Sequence, residues 1–156
     1  MKIIGLAICC LLLISATSIA QETHDFSGTF VLTSLKGENT AKRLPKILLK
    51  VIQNGNSMEV AETFDDGKTT TTKYFLDGRE SKNFTSGDLP TSDKTEVKGK
   101  TLVIRSSYRL ANGVSVRETQ KWELSVDSQK LKIRRQTQFE GMSAMDFTMD
   151  EAYQRQ

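Results

Sequence analysis

Beyond residue 25 the chain alternates apolar and polar positions in short runs, each closed by turn-forming residues. Alternation at a period of two puts successive side chains on opposite faces of a strand. Ten runs read this way: 29–32, 46–53, 57–64, 69–76, a weak 80–84, 94–98, 101–109, 114–124, 130–139 and 144–153. The turns between them are Asn54-Gly55, Asp66-Gly67, Asp77-Gly78, Lys98-Gly99, Asn112-Gly113, Asp127-Ser128 and Glu140-Gly141. Tight hairpins need a positive φ, which such residues tolerate. The widest interval contains a further breaker, Ser86-Gly87-Asp88-Leu89-Pro90. No amphipathic helix of ordinary length appears. A turn of helix fits within 36–44, where Pro45 stops it.

The alternation also assigns faces. In 114–124 one face carries Val114, Val116, Glu118, Gln120, Trp122 and Leu124, and the other is polar and solvent-facing. In 130–139 Leu131, Ile133 and Phe139 share a face with Arg135 and Thr137. The same reading groups Ile47, Leu49 and Val51. It also groups Met58, Val60, Glu62 and Phe64; Leu102, Ile104 and Tyr108; and Met145, Phe147 and Met149. About ten short strands joined by hairpins would leave exposed edges in an open sheet, and closing the sheet removes them. The predicted fold is all-β, a single antiparallel meander β-barrel of about eight to ten strands. A membrane barrel would need an apolar outer band, and these strands put Lys, Arg and Glu outside.

The first twenty residues follow another pattern. Lys2 precedes an apolar stretch from Ile3 to Ile14, and Ser18-Ile19-Ala20 ends it with small residues. This predicts a signal peptide over 1–20, cut after Ala20, and an exported, periplasmic or extracellular domain over 21–156. Both cysteines lie in the predicted signal, so the mature chain has no disulfide. Of its 136 residues 43 are apolar, a lean core that suits strands with one face in water. The formal charge falls from +3 to +2 with Lys2. Such a balance argues against a nucleic-acid or membrane-surface protein.

Asp25-Phe26-Ser27-Gly28-Thr29-Phe30 resembles the Gly-x-Trp opening of lipocalin-like (calycin) barrels, with Phe30 in the Trp position. The stretch from Lys121 to Leu131 resembles a hairpin of uncharacterised exported bacterial proteins with a lipocalin-like domain. These usually read Trp-x-Leu-Ser-x-Asp-Gly-x-x-Leu, and here Ser128 replaces the glycine. The resemblance implies a meander barrel, often with an internal cavity, and no particular ligand.

Catalytic chemistry finds little support. The mature chain has no Cys and one His, His24, close to the predicted cut, which disfavours an activated nucleophile and zinc. Asp65-Asp66-Gly67 lacks the spaced oxygens of a calcium loop and reads as a hairpin turn. Paired carboxylates remain the enzymatic option, with Glu62 and Glu118 both on apolar faces. The expectation is a non-enzyme without a cofactor. The candidate ligand-binding residues are Arg135, Glu118, Gln120, Thr137, Tyr108 and Trp122. Counted outward from the 126–129 turn, Glu118 and Arg135 stand roughly level. One reading is a buried cross-strand pair. A second has Arg135, with Gln120, Thr137 and Tyr108, lining a cavity and gripping an anionic or polar headgroup. A third is a register slip that puts both outside. Trp122 reads as core rather than ligand stacker. Asn83-Phe84-Thr85 is an N-glycosylation sequon, incidental in a bacterium. The favoured function is binding of a small apolar or amphipathic ligand inside the barrel. The alternative is a structural or protein-interaction module whose barrel is filled by side chains.

Overall fold

The computed structural model describes residues 24–37 and 43–156, so the predicted signal peptide lies outside the described residues. Ten strands follow in chain order: β1 (Gly28–Gly37), β2 (Leu48–Asn54), β3 (Ser57–Thr63), β4 (Thr69–Phe75) and β5 (Ser81–Phe84). The second half is β6 (Pro90–Lys98), β7 (Thr101–Arg109), β8 (Ser115–Leu124), β9 (Lys130–Phe139) and β10 (Phe147–Arg155). They form one antiparallel sheet in the order β4-β3-β2-β1-β10-β9-β8-β7-β6-β5. β1 pairs with β10, which joins the two halves of the meander. The sheet rolls up until its two ends, β4 and β5, lie against each other without a backbone ladder. The fold is therefore a nearly closed lipocalin-like barrel with one seam.

The alternation produced this outcome strand by strand. On β8 Val116, Gln120, Trp122 and Leu124 are buried while Arg117, Lys121 and Glu123 are exposed. On β9 Leu131, Ile133 and Thr137 are buried while Lys130, Lys132, Arg134, Gln136 and Gln138 are exposed. The second residue of each of the seven turn pairs has a positive φ; six are glycines and the seventh is Ser128, at 58°.

Several boundaries differ from the sequence expectation. β1 runs on to Gly37 rather than ending at residue 32, because β10 pairs with it past an irregularity at Leu32/Ser34. β6 begins at Pro90 rather than residue 94, because proline is tolerated as the first residue of a strand. β10 begins at Phe147 rather than 144. Gly141 turns the chain, and a 3₁₀ turn at Ser143–Met145 takes up the slack, so Met145 is half-exposed and does not join Phe147 and Met149. The helical turn expected within 36–44 falls partly outside the described residues; Lys36 and Gly37 belong to β1, and Arg43 and Leu44 are not helical.

One end of the barrel is filled. Phe26, Phe30, Val51, Met58, Leu102, Trp122, Leu131 and Tyr153 are among the side chains of a single apolar cluster. Phe26 meets Trp122 edge-on at 6.4 Å between ring centroids. Arg155 caps this end. Its guanidinium lies 4.7 Å from the Phe30 ring centroid, its Nη1 donates to Ser27 O at 2.8 Å, and its Nε donates to Ser128 O at 2.6 Å. Gly28 leaves room for it, since a Cβ there would push the guanidinium out of this position. Phe30 thus occupies the buried place that the resemblance gave to tryptophan.

Candidate functional site

Several strands change character along their inward face. β8 runs from Glu118 through Gln120 to Trp122 and Leu124; β9 runs from Leu131 and Ile133 to Arg135 and Thr137; β3 runs from Met58 and Val60 to Glu62. In each, the apolar positions lie toward the filled end and the polar positions toward the opposite end. The barrel is therefore packed in one half and polar in the other.

The polar half holds a cavity of about 220 Å³. Its floor includes Leu49, Val60 and Trp122. Its walls carry Glu62, Tyr74, Asp93, Tyr108, Glu118, Gln120 and Arg135. On one side it reaches the β4–β5 seam, where Thr70, Thr72, Phe84, Thr85 and Ser86 line it.

A continuous polar relay crosses the interior from β8 to β10. Trp122 Nε1 donates to Gln120 Oε1 at 2.9 Å, and Gln120 Nε2 donates to Glu118 Oε1 at 2.7 Å. Glu118 Oε1 lies 3.6 Å from Arg135 Nη1. Arg135 Nε donates to Glu151 Oε1 at 2.7 Å, and the Tyr153 hydroxyl donates to Glu151 Oε2 at 2.8 Å. Glu62 approaches the same guanidinium from β3, with Oε1 3.8 Å from Nη2. One cation thus sits among three carboxylates. Burial pulls the Arg135 pKa down, but the fields of Glu151, Glu62 and Glu118 more than reverse this and hold it charged. Burial pushes the Glu62 carboxyl up; Arg135 opposes the shift, and Glu151 and Glu118 add to it. Burial also raises the Tyr74 hydroxyl, to about 12, and raises Tyr108, with Glu118 adding to the latter.

A second polar group closes the seam. Lys73 N donates to Asn83 Oδ1 at 2.9 Å, and Asn83 Nδ2 donates back to Lys73 O at 2.9 Å. This side-chain amide takes the place of a backbone pair between β4 and β5. Asn83 Nδ2 also donates to Asp93 Oδ2 at 2.7 Å, and Thr91 Oγ1 donates to the same oxygen at 2.8 Å. Thr95 Oγ1 donates across to Phe75 O, and Lys68 Nζ donates to Ser86 O at 2.6 Å. Asn83 is 8% exposed, with its amide nitrogen committed twice, so the sequon has no free acceptor in the folded protein.

Five of the six candidate residues line the cavity: Arg135, Glu118, Gln120, Tyr108 and Trp122. Thr137 does not; its short side chain is buried between its register partners Glu118 and Phe147. The register also corrects the level pairing of Glu118 with Arg135. Arg135 stands opposite Gln120, and Glu118 opposite Thr137. The ion pair is therefore diagonal, one pleat out, and the tighter partner of Arg135 is Glu151. Trp122 is 1% exposed, a core residue whose ring also floors the cavity. Sequence reasoning missed Asp93, Glu151, Tyr74 and Tyr153. The signal for Glu151 and Tyr153 was present, because they continue the odd-numbered face of Phe147 and Met149.

No family model matches the chain, and no curated protein does. Solved structures match in fold. The zebrafish ileal bile acid-binding protein complexed with cholic acid has a TM-score of 0.63 at 16% identity, over 84% of this chain and 98% of that one. Human cRBP IV gives 0.61 at 16% identity, over 85% and 99%. A Schistosoma mansoni fatty acid binding protein in complex with arachidonic acid gives 0.58 at 13% identity, over 84% and 96%.

Proposed function

We propose that this barrel is a non-enzymatic carrier whose interior binds a small apolar or amphipathic ligand, and that the protein is exported after removal of residues 1–20. The observation that carries the reading is the cavity of about 220 Å³, with apolar floor and polar walls, inside an otherwise well-packed barrel. Ligand sites are concave and mostly apolar, with a few placed polar groups, and this one is smaller than the ~300–1,000 Å³ usual for drug-sized ligands. A short-chain or compact ligand is the right scale. Structural neighbours of the same fold hold cholic acid and arachidonic acid, which supports an amphipathic occupant. Export rests on the pattern of the first twenty residues and on a mature chain without cysteine.

Native mass spectrometry of the protein purified from its own host tests both parts. The expected spectrum shows a chain beginning at Gln21 and a copurified small molecule. A bare mass, together with no thermal shift across a panel of alkyl amphiphiles, overturns the binding function and leaves the interaction module. A chain still carrying residues 1–20 overturns signal cleavage.

A further inference from the structure

A ligand in the interior meets a charge balance set by five side chains. Glu62, Asp93 and Glu118 line the cavity, and Arg135 is the only basic side chain among the described residues that does. Arg135 is already engaged: its Nε is held by Glu151 at 2.7 Å, and Glu151 is itself fixed by Tyr153. One guanidinium is thus the shared counter-charge of three carboxylates. Glu62 and Glu118 reach the guanidinium only at 3.8 and 3.6 Å. On the opposite wall both donors to Asp93, Asn83 and Thr91, reach one oxygen, Oδ2.

A buried charge needs a counter-charge or hydrogen bonds. An arriving carboxylate would face surplus negative charge at short range, in a site where such charges are poorly screened. An arriving ammonium would supply the missing counter-charge and up to three donors. The burial that raises the Glu62 carboxyl fits this, since it marks a carboxylate short of the counter-charge that a cation would provide. Among the described residues no group of acids is arranged to hold a metal ion, and Arg135 stands between the carboxylates, so an organic cation with a short apolar tail is the better fit.

Resting on the reading that the interior binds a ligand, we propose that the occupant is a small amphipathic cation, its ammonium in the cavity beside Glu62 and Glu118 and its tail against Val60 and Trp122. The anionic headgroup that Arg135 suggests from sequence is then the disfavoured ligand.

Octylamine, octanol and octanoate share a tail and differ in charge, because near neutral pH an alkyl amine is protonated and a carboxylic acid ionised. Titration followed by Trp122 fluorescence should rank octylamine about tenfold or more tighter than octanol, with octanoate weakest. In Glu62→Gln/Glu118→Gln the amine preference should fall to within about threefold of octanol. Glu62→Gln alone lies outside the hydrogen-bonded relay and should weaken octylamine at least threefold relative to octanol. It serves if the double variant does not fold. Octanoate binding as tightly as octylamine overturns the cationic occupant and leaves interior binding standing. So does octylamine affinity unchanged in both variants, which would place the amine elsewhere. If none of the three probes binds, interior binding fails and the cationic occupant with it.

Discussion

Trp122 joins the two halves of the barrel at a single side chain. Its ring packs in the apolar cluster, and its Nε1 anchors the relay that ends at Tyr153. Trp122→Ala removes the largest fully buried side chain and strips Gln120 of its donor. Unfolding in urea should show a loss of roughly 3–5 kcal/mol, and a loss under about 1 kcal/mol would remove Trp122 from the core. Ser128 works in the other direction. Its φ of 58° places a non-glycine residue in the left-handed region of the β8–β9 turn. A left-handed non-glycine costs about 1–2 kcal/mol, and glycine loses ~0.4–1 kcal/mol more chain entropy on folding. Ser128→Gly should therefore stabilise by about 0.5 kcal/mol, read as a higher urea midpoint at constant slope; a lower midpoint would contradict the strain. The backbone acceptor for Arg155 survives the change. At this scale the sequence was informative about burial and poor about partners. Glu118 and Arg135 stand out because they interrupt apolar faces. Glu151, the tighter partner, comes from β10, and only the pairing of β9 with β10 brings it within 2.7 Å.

The strands themselves were easier to read than their meetings. β7 and β9 match their expected runs from end to end, since period-two alternation and left-handed turn residues act within a few positions of the chain. β6 was read short because Pro90 looks like a breaker, although a first-strand proline loses no ladder bond. That truncation hid Asp93 and Thr91. Asn83 shows the limit most clearly. Its sequence context suggests modification, while its place in the fold makes it the staple between β4 and β5. Asn83→Ala removes three hydrogen bonds and leaves Asp93 with only Thr91 as donor, at a cost of about 1–3 kcal/mol. Hydrogen exchange should accelerate in β4 and β5 and stay unchanged in the β8–β9 hairpin. Equal acceleration everywhere would mean that the seam does not open on its own.

For the whole molecule, the lean apolar content of residues 21–156 has a structural counterpart. Side chains fill one half of the barrel, and the polar half needs fewer apolar residues because part of it is space. Closure could be anticipated, since a meander of short strands has few ways to bury one face and protect its edges. The cavity could not. Its volume is what remains after ten strands have curved around one another, and its charge balance sums contributions from five different strands, β3, β6, β8, β9 and β10. Neither quantity is carried by any local stretch of sequence.

The seam also bears on how the protein behaves in the company of its own copies. A sheet with two free ends invites another chain to add a strand, the first step toward fibrils. Here each free edge is occupied by the other, through an amide borrowed from Asn83 and hydroxyl and ammonium groups from Thr95 and Lys68. The staple that holds the barrel shut is thus also its protection against templated self-association.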